Sequence, residues 1–597
     1  TRWIYTTSSF ASISNNTVDN NWAEWIEIYN WTPVLIDSNT ITNNWSDWLK
    51  IWSIAVAITN NIISWNTWYW INSASYTSTF LNNQVLNNWS AIYSKSVEPY
   101  LVWSNTTITW NTNERLWIAF EMVWLTWTIK NYPWYNYHVI DSKSIDSWET
   151  LTIEAWNIFK VDAWKNIQIF GNLQAIWTSG NPIIFTSYND NSVWDTQWTW
   201  TPTSWEWANI YISWTSSDLS VLDYVEMKYW WSSTAWLQLS GSDLTISNSL
   251  VSDSATRWIY SATSNISFSN STLNNNWTEW IELYSWVPTL FDNNTITNNG
   301  WDWLKSGAIA VPITNNIISW NTWYWIYSTS YTSTYLNNQV IDNWSAIYAK
   351  NVDPYLVWSN TTITWNTNER LWIAFEMVWL TWTIKNYPWY NYHVIDSKSI
   401  DSWETLTIEA WNIFKVDAWK NIQIFGNLQA IWTSGSPIIF TSYNDNSIWD
   451  TQWTWIPSLW DWQYFYISWA WSDLSVLNYI QIKYWWSSTA GLYLVTSDVS
   501  VSNALIAYNA TNWIQAHQWD STIKNTIFYN NNLLWLNISS WTSNSTYNLY
   551  YLNTSWSSNY VLDVDSLEFD PLFVDEIDFE LQATSPAINT WDLSYWN

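Results

Sequence analysis

Apolar residues return along this chain at a spacing too long for one face of a helix and too short for a domain. Val18, Ile41, Ile63, Val85 and Ile108 follow one another at steps of 23, 22, 22 and 23 residues. Three residues after each stands an asparagine (Asn21, Asn44, Asn66, Asn88, Asn111), and an apolar residue returns soon afterwards as Ile26, Leu49, Ile71 and Ile92. Each unit therefore reads as a short strand, an Asn-containing turn and a second strand. A unit of that length cannot bury its apolar face alone, whereas stacked copies can. The predicted fold class is all-β, a parallel β-helix (solenoid) with coils of about 22 to 23 residues, in which each strand pairs with its equivalent one turn later. Ile and Val then fill a narrow interior, and the asparagines stack in register and hydrogen-bond along the axis. Successive coils rise by about 4.8 Å, so an unbroken period would give roughly two dozen coils and a rod of about 110 to 120 Å. A leucine-rich repeat has a similar period, but its Leu-x-x-Leu-x-Leu signature is absent. Helical repeats are disfavoured by the dominance of Thr, Ile, Asn and Ser.

A second, longer duplication lies over the first, at an offset of 255 residues, from Thr1 to about Ser500. Between Pro99 and Trp200 the copies differ only at Asn181 versus Ser436 and Val193 versus Ile448. Elsewhere the exchanges are informative: Trp45 faces Gly300, Trp52 faces Gly307 and Trp236 faces Gly491, while Ser46 faces Trp301 and Ser216 faces Trp471. Each exchanges tryptophan with a small residue, not with the Phe or Tyr that a buried indole would tolerate. The chain has 66 Trp and 8 Gly, and its tryptophans stand beside Asn and Ser, as in Ser64-Trp65-Asn66-Thr67-Trp68, where turns favour glycine. A bulky side chain loses about 1 to 2 kcal/mol in the left-handed region such turns use. The pattern resembles a gene of a bacterial lineage that reads UGA as glycine, with those codons rendered here as Trp. The bland alternative is a Trp-rich adhesive surface.

Composition narrows the function classes. With no cysteine, neither disulfides nor thiolate metal sites hold the chain. Its 49 acidic and 19 basic residues give a formal charge of -30, which repels nucleic acid and anionic membrane surfaces. The longest apolar stretch, Leu116 to Trp127, is broken by Glu121 and too short to span a bilayer. A Thr start inside a running repeat reads as a fragment with any signal peptide upstream. Abundant Asn, Ser and Thr then point to an extracellular or cell-surface protein.

The segment LTIEAWNIFKVDAWKNIQIFGNLQAIWTSGNPIIFTS, Leu151 to Ser187, recurs with one change at Leu406 to Ser442. With glycine at Trp156, Trp164 and Trp177, and the existing Gly171 and Gly180, it resembles the opening coils of secreted right-handed parallel β-helix proteins of the pectate-lyase-like superfamily. The tail, Asp570-Pro571-Leu572-Phe573-Val574-Asp575 and Ser585-Pro586-Ala587-Ile588-Asn589-Thr590, resembles the ending of such surface proteins. The resemblance covers nearly the whole chain. It implies an architecture and leaves the chemistry open, because lyases, hydrolases and adhesins share it. The run Asn131-Tyr132-Pro133-Trp134-Tyr135 interrupts the short period. Boundaries near Trp127 and Trp382 divide the chain into the final coils of a truncated module (1–126), a complete module (127–381) and a second module with a C-terminal cap (382–597).

Candidate chemistry is sparse. Lyases on this fold imply calcium and an Arg or Lys base, which points to Arg115 and its duplicate Arg370. Each adjoins a glutamate, Glu114 or Glu369, so the bland reading is a surface ion pair. Hydrolases use neighbouring carboxylates, sometimes with histidine. His138 and His393 shortly precede Asp141 and Asp396, although a lone His in a Tyr-rich strand is more often a packing or surface residue. His517 has no duplicate and no partner in sequence. The pairs Asp190 with Glu206 and Asp218 with Asp223 are of a kind that takes Ca²⁺, against the plainer reading of solvated loop charge. No phosphate loop, zinc spacing or nucleophile elbow occurs, no cofactor is expected, and no catalytic residue can be named. The leading expectation is an adhesin-like β-helical repeat protein binding glycans or another cell surface, with avidity from duplication. The alternative is a β-helical polysaccharide lyase or glycosidase, and a third reading is a structural spacer. Acids gathered on one face beside Arg115 or His138 would favour the enzyme.

Overall fold

The computed structural model describes residues 4–590 except for a series of short internal runs, the longest 96–104, 350–359 and 554–564. The described chain is all-β. It forms about 18 coils of short parallel strands, with one short α-helix at Pro586–Thr590. It divides into two compact units, 1–322 and 323–597.

In the first unit the apolar period becomes a register. Val18, Ile41, Ile63, Val85 and Ile108 are successive partners in one sheet, and Ile26, Leu49, Ile71 and Ile92 in another. All are buried. A third strand per coil, absent from the two-strand reading, forms a further sheet from Ala11–Ser14, Val34–Asp37, Val56–Thr59 and Thr79–Leu81. Its inward side chains are Ile13, Ile36, Ile58 and Phe80. Coils are fewer than expected because their length varies. Ile183 pairs with Val225, so this coil takes nearly twice the usual number of residues.

Asparagines close the corners. In the predicted ladder each side-chain carbonyl accepts from both the backbone N–H and the amide of its neighbour below: Asn21 to Asn44 at 3.0 Å for each bond, then Asn44 to Asn66, Asn66 to Asn88 and Asn88 to Asn111. Tyr135 ends the series, its hydroxyl accepting from Asn111 N and Nδ2 at 3.0 and 2.8 Å. A parallel ladder, Asn16, Asn39, Asn61 and Asn83, secures the other corner. Such pairing answers backbone groups that the bends leave without strand partners.

The residue just before each member of the first ladder adopts left-handed backbone. It is Asn20, Asn43 and Asn87 in three coils and Trp65 and Trp110 in the other two, with φ between 56° and 63°. Fourteen described tryptophans lie in this region, among them the duplicates Trp156 and Trp411 (φ 60° and 59°) and Trp164 and Trp419 (63° and 64°). No Ile or Val does. Trp45 and Gly300 donate the same bond, to the carbonyls of Asn21 and Asn276 at 2.8 and 2.7 Å. A Cβ at Gly300 would sit 2.5 Å from the carbonyl oxygen of Trp277.

At the Tyr-Pro run the strands change roles. Among the described residues, only Thr126–Ile129 intervenes between Arg115–Ala119 and Asn136–Asp141, which pair directly, where a full coil would place two strands. The sheet continues through Ile158–Val161, Ile183–Ser187 and Val225–Lys228 to Leu250–Ser252 and Thr272–Asn274. Thr272–Asn274 duplicates Thr17–Asp19, which lies in a different sheet of the same unit. Repeated sequence therefore occupies non-equivalent sheets. The second unit repeats the joint, with Arg370–Ala374 paired to Asn391–Asp396. Its last coils, including Tyr529 and Leu549, are covered by Phe579 and by Ala587 of the short helix.

Candidate functional site

At this joint, neighbouring strands stack polar and aromatic residues on one outer face. Arg115 pairs with Asn136 and Trp117 with His138 on adjacent strands, and His138 pairs in turn with Lys160. Side chains alternate along a strand, so Arg115, Trp117, Asn136 and His138 share one face while Leu116, Ile118, Tyr137 and Val139 fill the interior. Tyr188, directly after strand Ile183–Ser187, covers this face. Its ring stacks on the imidazole of His138 at 4.2 Å and 7°, and Trp117 lies against the imidazole at 4.2 Å and 47°. Arg115 Nη1 donates to the Tyr188 hydroxyl at 3.0 Å. Tyr93 follows in the same column, 6.0 Å from Trp117, with Tyr69 at 5.5 Å beyond it.

An ionic rim borders the rings. Asp162 Oδ1 lies 3.8 Å from His138 Nε2, and its side chain is 40% exposed. Asp141 is held by Lys165 at 3.4 Å. His138 is 2% exposed, and burial pushes its pKa down, against the pull of Asp162 and with help from the Arg115 and Lys160 charges. The ring is neutral at pH 7. Burial also raises the Tyr69 phenol to about 12. Beneath the rim the ammonium of Lys160, fully buried, donates to the carbonyls of Asp190 and Trp194 and so ties down the segment that follows Tyr188.

The second unit reproduces the arrangement. Arg370 Nη1 donates to the Tyr443 hydroxyl at 3.0 Å, His393 stacks on Tyr443 at 4.2 Å and 6°, Trp372 lies 4.3 Å from His393, and Asp417 lies 3.9 Å from His393 Nε2. Lys420 holds Asp396 at 3.4 Å.

Several expectations change in this light. Arg115 is no surface ion pair with Glu114. It is buried against Tyr188, while Glu114 accepts from Trp194 Nε1 at 2.8 Å. Asp190 is wholly buried and accepts from the Thr186 hydroxyl and the Ser192 N–H, a structural cap and not a solvated loop charge. Glu206 takes the Ser187 hydroxyl. Asp218 accepts from Asp243 N and Asp223 from Ser247 and Asn248 of the next coil. Among the described residues no group of three His, Asp or Glu could hold a metal ion. His517 ends strand Ile514–His517, and its side chain lies outside the described residues. Asp162, Tyr188 and Lys160 stand in no motif that would single them out in the sequence, although Lys160 lies one ordinary period after His138 as its register partner.

Compared with known protein families and with curated proteins, the chain matches none. Matches among solved structures include the catalytic domain of a GH87 alpha-1,3-glucanase variant in complex with tetrasaccharides, at 9% identity and a TM-score of 0.21. That alignment covers 76% of this chain and 64% of the glucanase domain, less than two thirds of the latter, and is too distant to bear on function. No helix among the described residues is long and apolar enough to cross a membrane.

Proposed function

We propose that this protein is a secreted or cell-surface β-helix of the pectate-lyase-like kind that binds glycans at one aromatic and cationic cluster per unit. The observation that carries the reading is the cluster itself. Arginine, a neutral histidine, stacked rings and a partly exposed carboxylate are gathered on one sheet face and built twice to the same distances. Ring faces pack on the apolar side of a sugar, while carboxylate, imidazole and guanidinium match its hydroxyls. Two sites on one chain raise avidity for a polymer without new contacts. The experiment is retardation in polysaccharide-containing gels, using a chain in which the UGA-coded positions are glycine. Slowed migration in at least one polymer is expected, and free migration in all of them refutes the reading.

A catalytic reading has one observation in its favour, since Asp141 and Asp162 border the same face as Arg115 and His138. A glycosidase or lyase would release reducing ends or unsaturated products from a polymer the protein retains. Absence of both leaves the binding function alone.

The glycine reading of UGA belongs to the same proposal. It is supported by tryptophan alternating with asparagine at one left-handed corner and by the shared backbone role of Trp45 and Gly300. The buried indole N–H groups of Trp48 and Trp485 also lack an acceptor. Trp207 and Trp462 behave differently. They are fully buried, outside the left-handed region, and their Nε1 donates to the carbonyls of Lys228 and Lys483 at 3.0 and 2.9 Å. We assign these two as genuine tryptophans.

A further inference from the structure

The cluster contains an anomaly that the binding reading does not explain. Arg115 Nη2, both side-chain polar atoms of Asn136 and His138 Nδ1 are buried without a hydrogen-bond partner, and His138 Nε2 faces Asp162 only at 3.8 Å, beyond hydrogen-bond distance. Asn391 and His393 repeat this in the second unit. Leaving such groups unsatisfied costs about 1 to 3 kcal/mol each, and native proteins rarely concentrate them. All three surround one side chain. Trp117 is the register partner of His138, two residues from Arg115 on the same face, and its ring lies against His138, Tyr93 and Tyr69. An indole set among these groups excludes water from most of their polar atoms and offers few in return. Trp117 is itself only half-buried, so removing its ring opens the space to solvent.

We infer, building on the proposed glycan binding and glycine reading, that positions 117 and 372 are glycine in the functional protein, and that the space filled by each indole is a niche for one sugar ring. Glycine within a strand marks a place where a ligand approaches the backbone closely. Here it would form the floor, with His138 and Tyr93 as walls and Arg115, Asn136 and Asp162 supplying hydrogen bonds. The niche is flat and ring-sized because an indole fits it. One guanidinium and one carboxylate nearly cancel, and the histidine is uncharged. The ligand class is therefore a neutral pyranose within a glycan, with anionic sugars disfavoured further by the chain's charge of -30. The second niche has Tyr348, His393, Arg370, Asn391 and Asp417 in the same places.

The test compares two chains by calorimetric titration. In one, every UGA-coded position is glycine except 117 and 372; the other adds Trp117→Gly and Trp372→Gly. The probes are neutral gluco-oligosaccharides and, separately, oligogalacturonates. Matching circular dichroism establishes that both chains fold. The expected result is at least tenfold tighter binding of a neutral oligosaccharide by the second chain, with two sites per molecule, and loss of that gain on His138→Ala with His393→Ala. Equal affinity in the two chains overturns the niche while leaving glycan binding intact, and preference for the acidic oligosaccharide overturns the ligand class. Binding of no polysaccharide by either chain removes the underlying reading as well. A UGG codon at position 117 refutes the inference directly.

Discussion

Replacing Trp110 by glycine and, separately, by alanine isolates the backbone cost on which the glycine reading depends. Trp110 is 81% exposed with φ 60°, and both substitutions discard the same indole, so lost packing cancels in their difference. What remains is one Cβ in the left-handed region, worth about 1 to 2 kcal/mol against alanine, less about 0.5 to 1 kcal/mol for the greater freedom of glycine in the unfolded chain. Glycine should therefore be the more stable, by up to about 1.5 kcal/mol. Trp22 serves as the control. It is 80% exposed and lacks a positive φ, so there alanine should win by about 0.5 to 1 kcal/mol. The assay is urea denaturation of all four variants followed by far-UV dichroism, comparing midpoints within each pair because long repeat arrays need not unfold in two states. A reversal of sign between the two positions is the expected outcome. If alanine is at least as stable as glycine at 110, that corner is not left-handed, and the argument from the tryptophans fails.

Other consequences can be checked independently. The gene should carry UGA at codons 65, 110, 156 and 164 and UGG at codons 207 and 462, and sequencing that finds all six alike would contradict the division. Asn66→Ala deprives Asn44 N and Nδ2 of their acceptor inside the corner, which predicts a loss of about 2 to 3 kcal/mol in urea titrations and a smaller loss for Asn66→Ser. Asp19 and Asp37 are held below the usual carboxylate range chiefly by side-chain hydrogen bonds, from Asn43 and Thr42 and from Thr59 and Asn60. Their stabilisation is present above about pH 4 and disappears as pH falls through their lowered values, so Asp37→Asn should flatten the melting temperature on the acid side. His138 and His393 are shifted down by burial, so below about pH 6.5 the unfolded chain takes up protons that the folded chain refuses. Stability should fall as pH drops from there, and His138→Gln with His393→Gln should reduce that slope.

The spacing of apolar residues and asparagines was enough to specify stacked parallel coils. Strand pairing in a solenoid is local to adjacent turns, so a periodic sequence carries its own register: Val18 to Ile108 and Asn21 to Asn111 align in the structure as they align on the page. The third strand of each coil was harder to see, although Ile13, Ile36, Ile58 and Phe80 keep the same rhythm, because each strand offers only three or four residues. Duplication singled out Arg115 and His138 without revealing that they lie against each other. That contact depends on the joint at Tyr132 to Tyr135, where a turn of the chain omits a strand and the next coils move round by one sheet. Asp162 and Tyr188 join them from directly after the next two strands of the sheet. Periodicity fixes what sits above what only while the period holds; where it breaks, neighbours are set by how the chain packs across the break, and this is where the cluster formed.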